Sequence, residues 1–185
     1  GVPAAMVATM LKTFVTHAVE HHTDPGEILA FVNARFTAVA LPEHFASMLL
    51  ARWNPATAAL DYASAGHEPP LFMNGDQVRE LRATGLLLGA VAEAVYPAQC
   101  LEVTTGDRLL LTTDGASETR NPDGKIFGRS RLGELFRACR TDPLDVAIRR
   151  IADELVRYRA ERPLEDDLTL LAVEFTASGQ DARFG

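Results

Sequence analysis

The chain has 185 residues, of which 47% are hydrophobic, and a formal net charge of −7 at pH 7. This size suits one domain with a real core, and an acidic chain without a basic run disfavours nucleic acids or anionic membranes as partners. The longest apolar stretch, residues 86–95, is interrupted by Glu93 and is too short to span a bilayer. Two distant cysteines, Cys100 and Cys139, suggest neither a disulfide framework nor a zinc site, which favours a cytoplasmic location.

The beginning of the chain predicts two helices joined by a short turn. Apolar side chains recur at helical spacing through residues 3–22, with polar side chains on the opposite side. Asp24 followed by Pro25 is typical of an N-cap and a first-turn proline, so a second helix is predicted to run to about Val39. These two helices are expected to form one layer.

The middle of the chain predicts short strands, because Asn, Pro, Gly and Asp clusters separate brief apolar runs. The predicted strands cover residues 45–53, 60–65, 71–73, 78–81, 95–103 and 108–113. A loop is expected over residues 117–128, which contain Asn-Pro-Asp-Gly.

The end of the chain predicts helices over residues 130–139 and 143–160, the second capped by Asp142. A core strand is expected over residues 167–175 and a disordered tail over residues 178–185. Strands in hairpin order between two helical pairs predict an α+β fold, in which each of two antiparallel sheets is covered by a pair of helices.

Two acidic segments stand next to apolar strands. Asp114 directly follows the apolar run 108–113, and the pair Asp166 and Asp167 directly precedes the run 168–173. If these strands pair antiparallel, the end of one and the start of the other lie at the same edge of the sheet. Carboxylates that lie so close need a counter-cation, and oxygen ligands favour a hard ion such as Mg²⁺ or Mn²⁺.

Five segments in a fixed order resemble motifs of one enzyme family. They are ASAGHEPPL at 63–71, GLLLG at 85–89, GDRLLLTTDGASE at 106–118, FG at 127–128 and DDLT at 166–169. Each is unspecific alone, but together they resemble the PPM-type metal-dependent serine/threonine phosphatases, in the bacterial SpoIIE/RsbU-like branch.

The resemblance implies a four-layer αββα fold and two Mn²⁺ or Mg²⁺ ions per complete domain. A metal-activated water then hydrolyses a phosphoserine or phosphothreonine. Asp114 and Asp166 would be the catalytic metal ligands and Asp167 a neighbouring acid, while Gly115 would let the backbone turn away from the ions. The resemblance identifies no substrate-binding residue.

The resemblance also suggests partners. The expected substrate is a phosphorylated regulatory protein of the STAS anti-anti-sigma type, and a sensor domain is expected upstream. A homodimer is left open, and neither nucleic acid nor membrane is expected to bind this segment. The phosphatase domain is expected over residues 1–177.

The start of the chain, GVPAAM at 1–6, resembles the segment that comes directly after the branch motif DVxGHG. The strands before it and the aspartate that bridges the two metals are therefore expected to be missing. A chain without that bridge is expected to bind divalent metal weakly and to be inactive alone. The alternative is a non-catalytic binding or signalling module with the phosphatase fold.

One competing motif is H-x-x-E-H, spelled by His17 to His21, which is typical of inverted zinc peptidases. On a helix, His17 and His21 share a face, but Thr13 and Thr16 lie on it too, so this face looks solvated. No third ligand region comes after it, which disfavours the peptidase. His67 is expected to be a structural hydrogen-bond partner rather than a phosphate ligand.

Overall fold

A computed structural model of the chain describes residues 2–40, 44–82 and 85–176. They form two compact units, the first made of residues up to His67 together with Arg82–Glu102, and the second of Glu68–Leu81 together with Val103 onward. Each unit contains one antiparallel sheet and its own helices, which confirms the predicted α+β class. The predicted tail over residues 178–185 lies outside the described residues.

The first unit combines two helices with a three-stranded sheet. Its elements are α1 (Val2–Ala18), α2 (Pro25–Val39), β1 (Met48–Asn54), β2 (Ala59–Ala65) and the strand Gln99–Glu102, which is β5 in chain order. The sheet order is β1-β2-β5, and both strand pairs are antiparallel. Asp24 caps α2 as predicted, since its Oδ1 accepts the amide hydrogens of Gly26 at 2.8 Å and Glu27 at 3.0 Å.

The core of the first unit forms where α2 packs against β2. Leu29, Val32 and Phe36 of α2 are fully buried. They face Ala63 and Ala65 of β2, whose small side chains let the helix approach the sheet.

The second unit combines a four-stranded sheet with three helices. Its elements are β3 (Leu71–Asn74), β4 (Gln77–Glu80), β6 (Arg108–Thr112), α3 (Asp114–Ser117), α4 (Arg129–Ala138), α5 (Leu144–Arg159) and β7 (Leu170–Glu174). The sheet order is β4-β3-β6-β7, with every pair antiparallel. Leu110 at its centre packs in one cluster with Leu132 and Phe136 of α4 and Ile151 of α5. None of the helices in the described ranges is both long and apolar enough to cross a bilayer.

The structure differs from the sequence expectations at several element ends. The strand expected over 95–103 is confined to Gln99–Glu102, and Pro97 has no amide hydrogen to donate to a sheet. The helix expected over 3–22 ends at Ala18, after which Glu20 and His21 donate to carbonyls three residues back. The short helix over Asp114–Ser117 is not expected from the sequence.

The predicted cap of the last long helix is wrong. Pro143 occupies the N-cap position of α5, and no side chain caps the helix there. The carboxylate of Asp142 instead pairs with Arg150 at 3.0 Å, since a guanidinium further along the helix offers a charged donor.

Candidate metal centre

The two acidic segments meet at one edge of the second sheet. β6 and β7 pair antiparallel from Arg108 opposite Glu174 to Thr112 opposite Leu170. Beyond the last pair, the amide of Thr113 donates to the carbonyl of Thr169 at 3.3 Å. The condition set out from the sequence, antiparallel pairing of these two strands, is therefore met, and the pairing brings the residues after β6 next to those before β7.

Thr113 fixes the acidic pair to the end of β6. Its hydroxyl donates to the carbonyl oxygen of Asp167 at 2.7 Å and accepts the amide hydrogen of Thr169 at 3.0 Å. One side chain thus uses both its donor and its acceptor across the gap between the strands. The position of the Asp166–Asp167 backbone depends on this bridge.

Gly115 allows the two segments to approach closely. A Cβ atom at this position would lie 2.6 Å from the carbonyl oxygen of Asp167, and 3.5 Å from that of Asp166. Real Cβ atoms do not come as near as the first of these distances to a backbone oxygen, so any side chain here would push the acidic pair away. This close contact is the structural reason for a glycine at position 115. From the sequence, the glycine was instead expected to let the backbone turn away from the ions.

The three carboxylates are exposed, and none of them pairs with a lysine or arginine of the described chain within 4.0 Å. Oδ1 of Asp114 accepts the amide hydrogen of Gly115 at 3.0 Å, and Oδ1 of Asp166 accepts that of Asp167 at 2.7 Å. These local bonds orient both groups and leave a second oxygen on each for another ligand. Neighbouring carboxylates that form no ion pair are the arrangement that a hard metal ion stabilises.

The donor type therefore fits Mn²⁺ or Mg²⁺, but the three acids do not form a finished ligand set. Within the described residues 2–40, 44–82 and 85–176, the carboxylate oxygens of the three acids do not all lie within 4.8 Å of one another. The edge provides oxygen ligands on two strands without bringing all of them to one point.

A half-buried brace, which sequence reasoning missed, contacts the short helix α3. The hydroxyl of Ser117 lies 3.3 Å from Oε1 of Glu68 and donates to the carbonyl of Asp114 at 3.2 Å. Arg129 pairs with Glu68 and, at 2.6 Å, with Glu80. Glu68 stands at the variable position of the AGHxPP motif, so the motif alone gave no reason to single it out.

A small pocket of about 40 Å³ adjoins the acidic edge. Gly115 and Asp166 line it together with three arginines, namely Arg120, Arg159 and Arg162. Arg120 and Arg162 both pair with Glu165, at 3.4 and 2.8 Å. Positive side chains thus lie beside the carboxylates, and no sequence motif had pointed to them.

His67 lies in the first unit, where its Nδ1 is 3.2 Å from the hydroxyl of Ser47. Its amide donates to the hydroxyl of Ser64 at 3.2 Å. These contacts agree with the structural role expected from the sequence. Glu118 is exposed and lines the small pocket.

Comparison with known proteins shows which family the chain resembles. Residues 1–176 match the family model described as "Stage II sporulation protein E (SpoIIE)". The chain is 27% identical to phosphoserine phosphatase RsbU of Bacillus subtilis over 175 residues, which are 94% of this chain and 52% of RsbU. It is 30% identical to protein IcfG of Synechocystis over 133 residues, which are 70% of this chain and 20% of IcfG.

The fold is shared with solved structures. The structure of the SiaA-PP2C domain of Pseudomonas aeruginosa matches 95% of this chain, with a TM-score of 0.83 at 24% identity. The match covers 70% of the SiaA-PP2C chain. The chain spans about half or less of the length of the two curated relatives. Because the family model covers nearly the whole sequence, the chain belongs to the SpoIIE family, whose fold is that of PP2C-type phosphatases.

Proposed function

We propose that this chain supplies the acidic edge of a metal-dependent protein-serine/threonine phosphatase. One observation carries the proposal: β6 and β7 pair so that Asp114 and the Asp166–Asp167 segment meet at one sheet edge, where none of the three acids forms an ion pair with a described lysine or arginine within 4.0 Å. Membership of the SpoIIE family and the similarity to RsbU, a protein named for phosphoserine phosphatase activity, support it.

In this proposal Asp114 and Asp166 are ligands of Mn²⁺ or Mg²⁺, two ions being held by a complete domain. The ions, when bound, supply an activated water and neutralise charge on the phosphoryl oxygens. Asp167 adds negative charge nearby and, through its carbonyl, accepts the bond that fixes the edge. Gly115 keeps the two acidic segments within reach of one another.

The proposed substrate is a phosphorylated regulatory protein, of the STAS anti-anti-sigma type that the resemblance suggests. Arginines beside Asp166 provide positive charge where a phosphate group would approach the acids. A sensor domain upstream, a cytoplasmic location and a homodimer belong to the same proposal. The chain spans 52% of RsbU, so a longer parent protein has room for such a domain.

The test is a phosphatase assay of the longer parent protein with Mn²⁺ and a phosphoserine protein substrate. Asp114→Asn and Asp166→Asn should each lower kcat by about a hundredfold or more, because each removes a charged ligand. Asp123→Asn is the matched control, since Asp123 is an exposed acid in the loop between α3 and α4. Unchanged turnover in both edge variants would remove the proposal.

We also infer that the 185-residue chain alone binds Mn²⁺ weakly and has little activity, because its three acids do not converge. Titration calorimetry should show no tight binding of two Mn²⁺ per chain. Two tight sites would contradict this inference while leaving the phosphatase proposal intact.

The same incomplete ligand set favours one alternative, a non-catalytic module that uses the phosphatase fold to bind a partner. The parent-protein assay separates the two. A parent that binds the phosphoprotein but releases no phosphate with Mn²⁺ or Mg²⁺ would establish the module.

A further inference from the structure

Three side chains that can ligate a metal meet where α1 ends. His17 lies in the last turn of α1, and Glu20 and His21 lie in the turn after it. One ligand atom from each of the three lies within 4.8 Å of the other two, and Nδ1 of His17 is 3.5 Å from Oε2 of Glu20. In the described ranges, no other group of three His, Cys, Asp or Glu side chains meets this spacing.

We propose that His17, Glu20 and His21 form a surface site for a late first-row divalent transition metal such as Zn²⁺. Two imidazole nitrogens and one carboxylate oxygen are a common protein ligand set for Zn²⁺, with water in the fourth position. Imidazole also discriminates against Mg²⁺, which prefers oxygen ligands. The site therefore differs in chemistry from the acidic edge of the second unit and does not depend on the phosphatase proposal.

The backbone holds the three ligands on one side of the turn. The amide of Glu20 donates to the carbonyl of His17 at 3.3 Å, and the amide of His21 donates to the carbonyl of Ala18 at 3.1 Å. The two imidazole rings are 5.1 Å apart, and the ring of Phe31 in α2 lies 5.7 Å from that of His17. The negative end of the α1 dipole points at this turn, which further favours a cation.

The arrangement argues for metal binding rather than for the peptidase that H-x-x-E-H suggests. In the peptidase pattern the glutamate acts as a base, whereas the carboxylate of Glu20 here lies among the ligand atoms. His17 and Glu20 have side chains 55% and 62% exposed, so an ion can reach them without rearrangement. A bound ion would tie the turn between α1 and α2 to the end of α1.

The test is titration calorimetry of the 185-residue chain with Zn²⁺, in a buffer with excess Mg²⁺ to occupy the oxygen ligands of the acidic edge. We expect one equivalent of Zn²⁺ to bind. His17→Ala and His21→Ala should each weaken binding by about tenfold or more, since each removes one of three protein ligands.

His22→Ala is the matched control, because His22 is the next residue and its Nδ1 lies 3.3 Å from Glu27 instead. This variant should bind Zn²⁺ within about twofold of the unchanged chain. Thermal unfolding provides a second readout: Zn²⁺ should raise the Tm of the unchanged chain and of His22→Ala by similar amounts, and that of His17→Ala by less.

The proposal is overturned if the unchanged chain binds no Zn²⁺, or if His17→Ala and His21→Ala bind it as tightly as the unchanged chain. Loss of binding in His22→Ala equal to that in His21→Ala would also overturn the assigned ligand set. Asp114→Asn should leave Zn²⁺ affinity unchanged, so failure of this site and failure of the phosphatase proposal are separate results.

Discussion

The two ends of β6 carry acids in opposite circumstances. Asp107, just before the strand, is 2% exposed, and its carboxylate accepts bonds from the amide of Thr104 at 2.7 Å and the side chain of Asn74 at 2.9 Å. Asp114, just after the strand, is exposed, and its carboxylate bonds only to the amide of Gly115 among the described residues. Hydrogen bonds within the fold therefore satisfy the carboxylate of Asp107, whereas the carboxylate of Asp114 remains available for a ligand.

The guanidinium of Arg108 strengthens this contrast. It donates to Glu174 of β7 at 2.6 Å and to the carbonyls of Cys139 and Asp142 at 3.0 and 2.7 Å. Its side chain is 7% exposed, so its charge depends on these partners. Removing one partner of a buried charged contact destabilises the fold, whereas exposed acids without an ion pair at the other end are available for a ligand.

The largest expected effect on stability comes from Arg108→Met, which keeps much of the buried side-chain volume but removes the charge. Glu174 and two carbonyl oxygens lose their donor, so the free energy of unfolding should fall by about 3 kcal/mol. Chemical denaturation measures the change. Arg149→Met is the control, since Arg149 pairs with Asp145 on the exposed face of α5 with 70% of its side chain exposed.

A loss of less than about 1 kcal/mol in Arg108→Met would mean that this pair contributes no more than a surface ion pair. The contrast between the two ends of β6 would then lose its energetic basis. A similar loss of stability in Arg149→Met would instead indicate that removing a positive charge anywhere on the protein lowers its stability.

The next effect comes from Gly115→Ala at the acidic end. The new Cβ would meet the carbonyl oxygen of Asp167 at 2.6 Å, so the acidic pair must move and stability should fall by about 2 kcal/mol. Gly133→Ala in α4 is the control, because its Cβ would meet only Val78 at an ordinary 3.7 Å. That change should raise stability by up to about 1 kcal/mol, since alanine favours the helix.

Equal stability of the chain with glycine and with alanine at position 115 would show that the segments at this edge are looser than their distances imply. NMR amide shifts of Thr113 and Thr169 in Gly115→Ala would locate the displacement, because both residues take part in the hydrogen bonds that join the segments. Unshifted amides would contradict the close approach.

Sequence reasoning could predict the shared edge because Asp114 and Asp166 flank apolar strands, and antiparallel pairing agrees with their order. It could not predict α3, because Asp-Gly-Ala-Ser is typical of a turn and the helix contacts Glu68, which is distant in the sequence. The brace joins residues 49 and 61 positions apart, a separation at which no local pattern connects them. Asp142 was predicted to cap α5 because it stands just before Pro143 at the start of that helix. Its partner in the structure is Arg150, eight residues further along the chain.

The smallest effect is also the most direct comparison of the two ends. Asp107→Asn and Asp114→Asn remove the same charge with almost no change of shape, one at each end of the same strand. At position 107 an amide group that replaces the carboxylate loses charge-assisted bonds in a buried place, so stability should fall by about 1–2 kcal/mol.

At position 114 the loss of charge relieves repulsion from the neighbouring acids, so stability should stay the same or rise by a few tenths of a kcal/mol, roughly the size of a like-charge pair at the surface. Denaturation in metal-free buffer compares the two variants on one scale. If Asp114→Asn is as destabilising as Asp107→Asn, then Asp114 stabilises the fold through a partner within the chain. Such a result would remove the contrast between the two ends of β6 and weaken the argument that Asp114 is free for a ligand, so this one measurement bears on both.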